Sequence, residues 1–185
     1  MKRIIVGISG ASGVIYGIRL LEMLMDDVES HLVLTNGAKL NISLESEFEP
    51  KQVESLADVV HNDKNLGATI ASGSYETEGM IIAPCSMKTL SGIANSYAAN
   101  LIVRAADVIL KEKRNLIIIP RETPLHLGHI DLLTKVSLMG AHVVPPNPAF
   151  YNNPKTIDDI VNHTVGRVLD LIGIDNEVVS RWKGV

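Results

Sequence analysis

Two stretches of this chain place small hydroxyl residues and glycines where a strand should hand over to a helix. The first is Gly7-Ile8-Ser9-Gly10-Ala11-Ser12-Gly13, spaced G-x-x-G-x-x-G. Glycine lets the backbone approach a ligand, and the free N–H groups of a helix start favour an anion. Ser9 and Ser12 add hydroxyl donors. The spacing is not the G-x-G-x-x-G of dinucleotide loops. Thr35 ends the second expected strand, where a dinucleotide-binding protein carries Asp or Glu for the adenine ribose. The pattern therefore favours a mononucleotide such as FMN over NAD, the alternative being a tight turn with no ligand. The second stretch is Pro84-Cys85-Ser86-Met87-Lys88-Thr89, directly after an apolar strand. Two such loops at the carboxyl ends of neighbouring parallel strands frame a crevice at a switch point. Cys85 has no partner that would make it a nucleophile and reads as a buried thiol.

A third set is cationic. Arg104 and Lys111 are seven residues apart and share one helix face. Arg121 and Glu122 follow Pro120 at another strand end, Arg167 lies in the last helix, and Tyr151 lies in a Pro-rich loop. Arginine forks match phosphate geometry, so these residues together suggest a phosphate clamp, against the alternative of separate surface ion pairs. His126 and His129 are spaced as a metal pair but lack a third ligand in the sequence, so no metal is expected. Asp26-Asp27 and Asp158-Asp159 read as helix-end charges.

These residues need a frame. Ile4–Ile8, Met80–Ala83 and Leu116–Ile119 read as buried strands, with His31–Leu34 and Ala141–Val144 as two more. Helical spacing covers Gly13–Met25, Thr89–Ile93, Ala99–Leu110, Leu125–Met139 and Ile157–Ile172, the last opened by Thr156 as cap with Asp158 and Asp159 in the first turn. The polar stretch 62–79 reads as loop. Alternating strands and helices predict an α/β three-layer, Rossmann-like domain with a mostly parallel sheet, one domain over residues 1–185.

The chain has 185 residues, 46% hydrophobic and only 4% aromatic, so its core must be aliphatic. The balance of 17 Lys and Arg against 21 Asp and Glu gives a net charge of -4, which argues against general nucleic-acid binding. One cysteine leaves no internal disulfide and no Cys-rich metal site. The apolar stretch Ile4–Gly10 is too short for a signal-peptide core and no run reaches the ~18 residues of a membrane span. A cytoplasmic chain is expected. A mean hydropathy of +0.19 suggests apolar surface buried between subunits, or equally a very aliphatic core.

The motifs converge on one family. Val6–Gly13, Pro84–Ile93, Arg104–Val108 with Lys111-Glu112, Pro120–Leu125, Pro148–Tyr151, Asp158-Asp159 and Gly166–Asp170 resemble, in order and from about residue 2 to 174, the flavin prenyltransferases of the UbiX family, long described as aromatic acid decarboxylase subunits. The resemblance implies a flavoprotein fold that assembles into a dodecamer. It implies transfer of a dimethylallyl group from dimethylallyl monophosphate to N5 and C6 of reduced FMN, with phosphate released. The prenylated FMN would serve a UbiD-type decarboxylase, in quinone (ubiquinone) synthesis or phenolic acid breakdown. By the same resemblance Gly10, Ala11, Ser12, Thr35, Ser86, Met87, Lys88, Thr89 and Arg121 hold FMN. Lys111, Arg121, Tyr151 and Arg167 hold the prenyl phosphate, and Glu45, Arg104 and Glu122 are the catalytic residues. Several chains meet at each site in the family, so these residues need not come from one subunit. One departure is local: a Ser-Lys pair common in the family is Thr35-Asn36 here, which keeps the hydroxyl and loses a cation.

The implied chemistry suits the residue types. Charge grows on the phosphate oxygens as the allylic bond breaks, fixed Lys and Arg stabilise it in a dry pocket, and Glu122 would give the leaving phosphate its proton. The flavin ring would supply the aromatic face that a chain poor in aromatics lacks. Two other readings compete. A flavin-dependent cysteine decarboxylase would carry Pro-Ala-Met-Asn where this chain has Pro84-Cys85-Ser86-Met87. A non-catalytic FMN carrier would bind flavin and leave prenyl phosphate intact.

Overall fold

The computed structural model describes residues 2–24, 28–176 and 178. The three apolar runs become the centre of the sheet: β1 (Arg3–Ile8), β4 (Gly79–Cys85) and β5 (Asn115–Pro120), flanked by β2 (Glu29–Leu34), β3 (Val59–Asn62) and β6 (His142–Val143). All pairings are parallel, in the order β3-β2-β1-β4-β5-β6. Every residue of β4 is buried, as a strand covered on both faces requires.

Helices α1 (Val14–Leu24), α2 (Asn36–Glu45), α3 (Pro50–Glu54) and α7 (Ile157–Ile172) lie over one face. Their buried residues join Ile4, Val6, Ile8, Ile81, Ile117 and Ile119 in one core. Helices α4 (Met87–Ala94), α5 (Leu101–Lys111) and α6 (Leu127–Leu138) cover the other face, on Ile5, Val33, Met80, Ile82 and Ile118. The result is the expected three-layer fold. Thr156 opens α7 with a full capping box against Asp159. The pair Asp26-Asp27, and Met25, lie outside the described residues.

Three elements escaped the sequence reading. β3 is an edge strand whose residues alternate half-buried and exposed, so Val59-Val60-His61-Asn62 shows no apolar run. In α2, Ala38, Leu40, Ile42 and Leu44 alternate with period two, which mimics a strand. The helix forms because Thr35 caps it, its Oγ1 accepting from Ala38 N at 3.1 Å, and because Ala38 and Ile42, four apart, are the residues it buries. Leu40 and Leu44 stay exposed. The five-residue α3 is too short to show a period, and Pro50 starts it. Within the loop expected over 62–79, Thr69–Ala71 makes one 3-10 turn. The helical spacing of residues 89–110 resolves into two helices, with Ser96 at φ 50 between them.

Candidate active site

The strand order reverses direction between β1 and β4, and both Gly- and Ser-rich loops leave the sheet there. Ser9 locks them together. Its buried hydroxyl donates to the Pro84 carbonyl at 2.9 Å and accepts from Ser86 N at 2.7 Å. Its own N–H donates to the same carbonyl at 3.2 Å. Arg121 N donates to the Cys85 carbonyl at 3.2 Å, which ties the loop after β5 to the end of β4. Ser86 caps α4, its Oγ accepting from Thr89 N at 3.3 Å. Gly10 and Gly37 touch across the gap, and a Cβ on Gly10 would stand 3.0 Å from the Gly37 Cα. The starts of α2 and α4 thus open onto one crevice, where free backbone N–H groups and helix dipoles favour an anion.

That crevice has a volume of about 1460 Å³. Gly10, Thr35, Ser86, Met87, Lys88 and Thr89 from the expected flavin set line it, and so does Glu122. Ala11 and Ser12 lie in the adjoining loop, and Arg121 precedes Glu122 at the end of β5. Lys88 and Arg121 are exposed, and among the described residues neither has an ion-pair partner. A flavin mononucleotide fits this donor set: backbone amides and hydroxyls for the phosphate and ribityl chain, an unpaired Lys beside them, and room for a ring system. Cys85 is fully buried in the core behind the loop, and desolvation pushes its thiol up to about 12, so it is an inert buried thiol, as the sequence suggested.

The other expected residues stand apart within one chain. Glu45, at the end of α2, accepts from Gly13 N at 2.7 Å and so braces the first loop from outside the cavity. Arg104 turns away from the crevice, its Nε donating to the Ala71 carbonyl at 3.3 Å and its Nη1 pairing with Asp107 at 2.8 Å. Lys111 is two turns further along α5, roughly 10 Å at 1.5 Å per residue, and pairs with Glu112. Arg167 lies on the opposite face of the sheet, on α7, paired with Asp170 at 2.9 Å. Tyr151 meets His163 of the same helix, hydroxyl to Nε2, at 3.3 Å. The cationic clamp read from the sequence is therefore three separate groups in the protomer. His126 and His129 stack with centroids 3.6 Å apart, and among the described residues no group of three or more His, Cys, Asp or Glu gathers to hold a metal.

Sequence reasoning missed the far wall of the crevice: His61, Asn62 and Asp63 at the end of β3, and Tyr97 and Asn100 before α5. Asp63 joins the two. Its Oδ2 accepts from Asn100 Nδ2 at 2.8 Å and its Oδ1 from Ile102 N at 3.1 Å. After Asp58 the sequence Val59-Val60-His61-Asn62 neither alternates nor makes an apolar run, so two adjacent valines were the only signal.

The Flavoprotein family profile matches residues 1–169. The flavin prenyltransferase UbiX of Escherichia coli strain K12 is 53% identical over 188 residues, with 100% of each chain covered. The crystal structure of AnUbiX in complex with FMN and dimethylallyl pyrophosphate is similar with a TM-score of 0.98 and 43% identity, over 100% of this chain and 98% of that one. A dodecameric FMN-dependent UbiX-like decarboxylase from Escherichia coli O157:H7 is similar with a TM-score of 0.96 and 50% identity, over 98% of this chain and 100% of that one.

Proposed function

This chain belongs to the flavoprotein family and, within it, to the flavin prenyltransferases, and from that premise we propose how its own residues do the work. The enzyme is a transferase that prenylates FMN. When bound, reduced FMN supplies the nucleophilic N5 and C6 positions. The observation that carries the reading is the switch-point crevice, where Gly10, Thr35 and Ser86–Thr89 converge on one anion-favouring cavity.

In the proposed mechanism the loop of Gly10, Ala11 and Ser12, the capping hydroxyls of Thr35 and Ser86, and the cations Lys88 and Arg121 hold the nucleotide phosphate and orient the ring. Glu122, at the cavity edge, gives a proton to the leaving phosphate of the donor, dimethylallyl monophosphate. Lys111, Arg121, Tyr151 and Arg167 fix that phosphate and stabilise the charge that grows on it. Arg104 and Glu45 complete the acid–base set. Because Lys111, Arg104 and Arg167 lie away from the crevice in one protomer, neighbouring copies of the chain bring them to it in a dodecamer. The product, prenylated FMN, is handed to a UbiD-type decarboxylase, in the cytoplasm. No helix of the described residues is long and apolar enough to cross a membrane, which agrees with that setting. We take residues 1–185 as one working domain.

Anaerobic incubation with reduced FMN and dimethylallyl monophosphate, followed by mass spectrometry of the extracted flavin, tests the reading. A gain of one dimethylallyl unit, with inorganic phosphate released in equal amount, is expected. Unchanged flavin mass with both the monophosphate and the diphosphate donor would sink it.

A further inference from the structure

The crevice wall carries one histidine that none of these roles uses, and it heads a buried column of hydrogen bonds. His61 lines the cavity. Its Nε2 lies 2.9 Å from Nδ1 of His31 on β2, with the two rings stacked at 14°. His31 is 1% exposed, and its Nε2 lies 2.9 Å from Oε1 of Glu29. The same carboxylate oxygen is reached by Arg3 Nε at 3.1 Å and by the Tyr75 hydroxyl at 3.3 Å, which donates to it while its own oxygen stands 3.2 Å from His31 Nε2 as a second acceptor there. The column runs from the carboxyl ends of the strands to their amino ends, where Glu29 pairs in register with Arg3.

The proton positions follow from what each group can do. The hydrogen bond from His31, and then Arg3, holds the Glu29 carboxyl below its ordinary range, so it is ionised and only accepts. His31 therefore carries its proton on Nε2, and its Nδ1 is a bare acceptor. His61 must then donate from Nε2, which leaves Nδ1 of neutral His61 as a lone pair.

We propose that His61 is a cofactor-positioning residue of the crevice, whose Nδ1 accepts a hydrogen bond from an N–H or O–H of the bound flavin nucleotide, with His31 and Glu29 holding the tautomer that makes this possible. The inference rests on the crevice holding FMN. It makes cofactor affinity depend on pH, because a protonated imidazole has N–H at both nitrogens and cannot accept. Burial, and then the nearness of His31, keep His61 below the ordinary histidine range. Asp58 is held ionised by the Ser30 backbone N–H, Arg3 covers the Tyr75 ring at 4.8 Å, and Asp63 and Lys64 follow His61 along the cavity edge.

The test is FMN affinity of the full-length protein, read by flavin fluorescence from pH 5 to 8. Wild type should weaken about five- to tenfold, the worth of one hydrogen bond, as pH falls through the titration of His61. His61→Phe should lose the same factor at pH 8 and keep only the shallower acid limb that the FMN phosphate gives as it takes its second proton. His61→Gln, whose carbonyl oxygen accepts but does not titrate, should restore affinity at pH 8 and show only that phosphate limb. Glu29→Gln should move the acid limb to lower pH, because the charge that steadies the protonated pair is gone. N3-methylated FMN separates the two donor sources: an imide contact makes the analogue insensitive to His61→Phe, and a ribityl contact leaves it as sensitive as FMN. A wild-type acid limb no steeper than that of His61→Phe would overturn the inference. Failure of wild type to bind FMN at any pH would overturn the reading of the crevice instead.

Discussion

The crevice and the outlying cations are built on opposite plans. At the crevice stand backbone amides, two capping hydroxyls and two cations without ion-pair partners among the described residues, with Ser9 clasping together the loops after β1 and β4. At the periphery Arg104, Lys111 and Arg167 each lean on an acid one to three residues away on the same helix, and share no cavity. A single protomer thus carries an anion-favouring crevice and, apart from it, cations that are neutralised in place. Exposed helical pairs of this kind are worth only about 0.3–0.5 kcal/mol, so a phosphate presented by an assembled site can take the cation over at little cost. The difference is one between donors left open to a cavity and cations already engaged by local acids.

The largest expected effect falls where α1 packs against β4. A Cβ on Gly17 of α1 would run into the Ala83 carbonyl oxygen, backbone that cannot yield, so Gly17→Ala should cost more than about 3 kcal/mol and strip flavin from the protein, as thermal melts with and without FMN would report. Next comes the sharpest test of the contrast. Arg167→Ala should slow prenyl transfer roughly a hundredfold while FMN affinity stays within about twofold, and an equal loss of both would erase the distinction between the regions. Ser9→Ala leaves the Pro84 carbonyl and the Ser86 N–H short of a buried partner; a loss of about 2 kcal/mol in chemical denaturation is expected, together with weaker FMN binding. Lys88→Ala should weaken FMN about tenfold, and the deficit should shrink in high salt. The smallest effect falls on Cys85. Burial raises its thiol to about 12, so iodoacetamide should leave the native protein unlabelled at pH 8 and label it promptly in denaturant. Rapid native labelling would show the core at the end of β4 open to solvent.

The legible parts of the molecule are those where local pattern and tertiary demand agree. The aliphatic runs of β1, β4 and β5 had only one way to be buried, and Thr156 with Asp159 announced α7. The illegible parts are those where the neighbours decide. α2 carries a strand-like alternation, and it is helical because Thr35 caps it over the crevice. β3 has no apolar run, since an edge strand buries only one side, and with it went His61 and Asp63, half of the far wall.

What the sequence determined by itself was chemical inventory and local order: glycine and hydroxyl loops at strand ends, an aliphatic parallel sheet, and a set of residues that resembled one family from end to end. Tertiary structure decided distance. Residues as far apart in sequence as Ser9 and Ser86 share one hydrogen bond, while Arg104 and Lys111, which residue spacing puts on one helix face, point their charges at local acids. His31 and His61 make the same point inside the sheet, since only parallel pairing of β2 with β3 brings their ring nitrogens to 2.9 Å. Spacing along a chain fixes which groups can share an element, but hydrogen bonds and electrostatics act through space, and only the packed sheet sets that space.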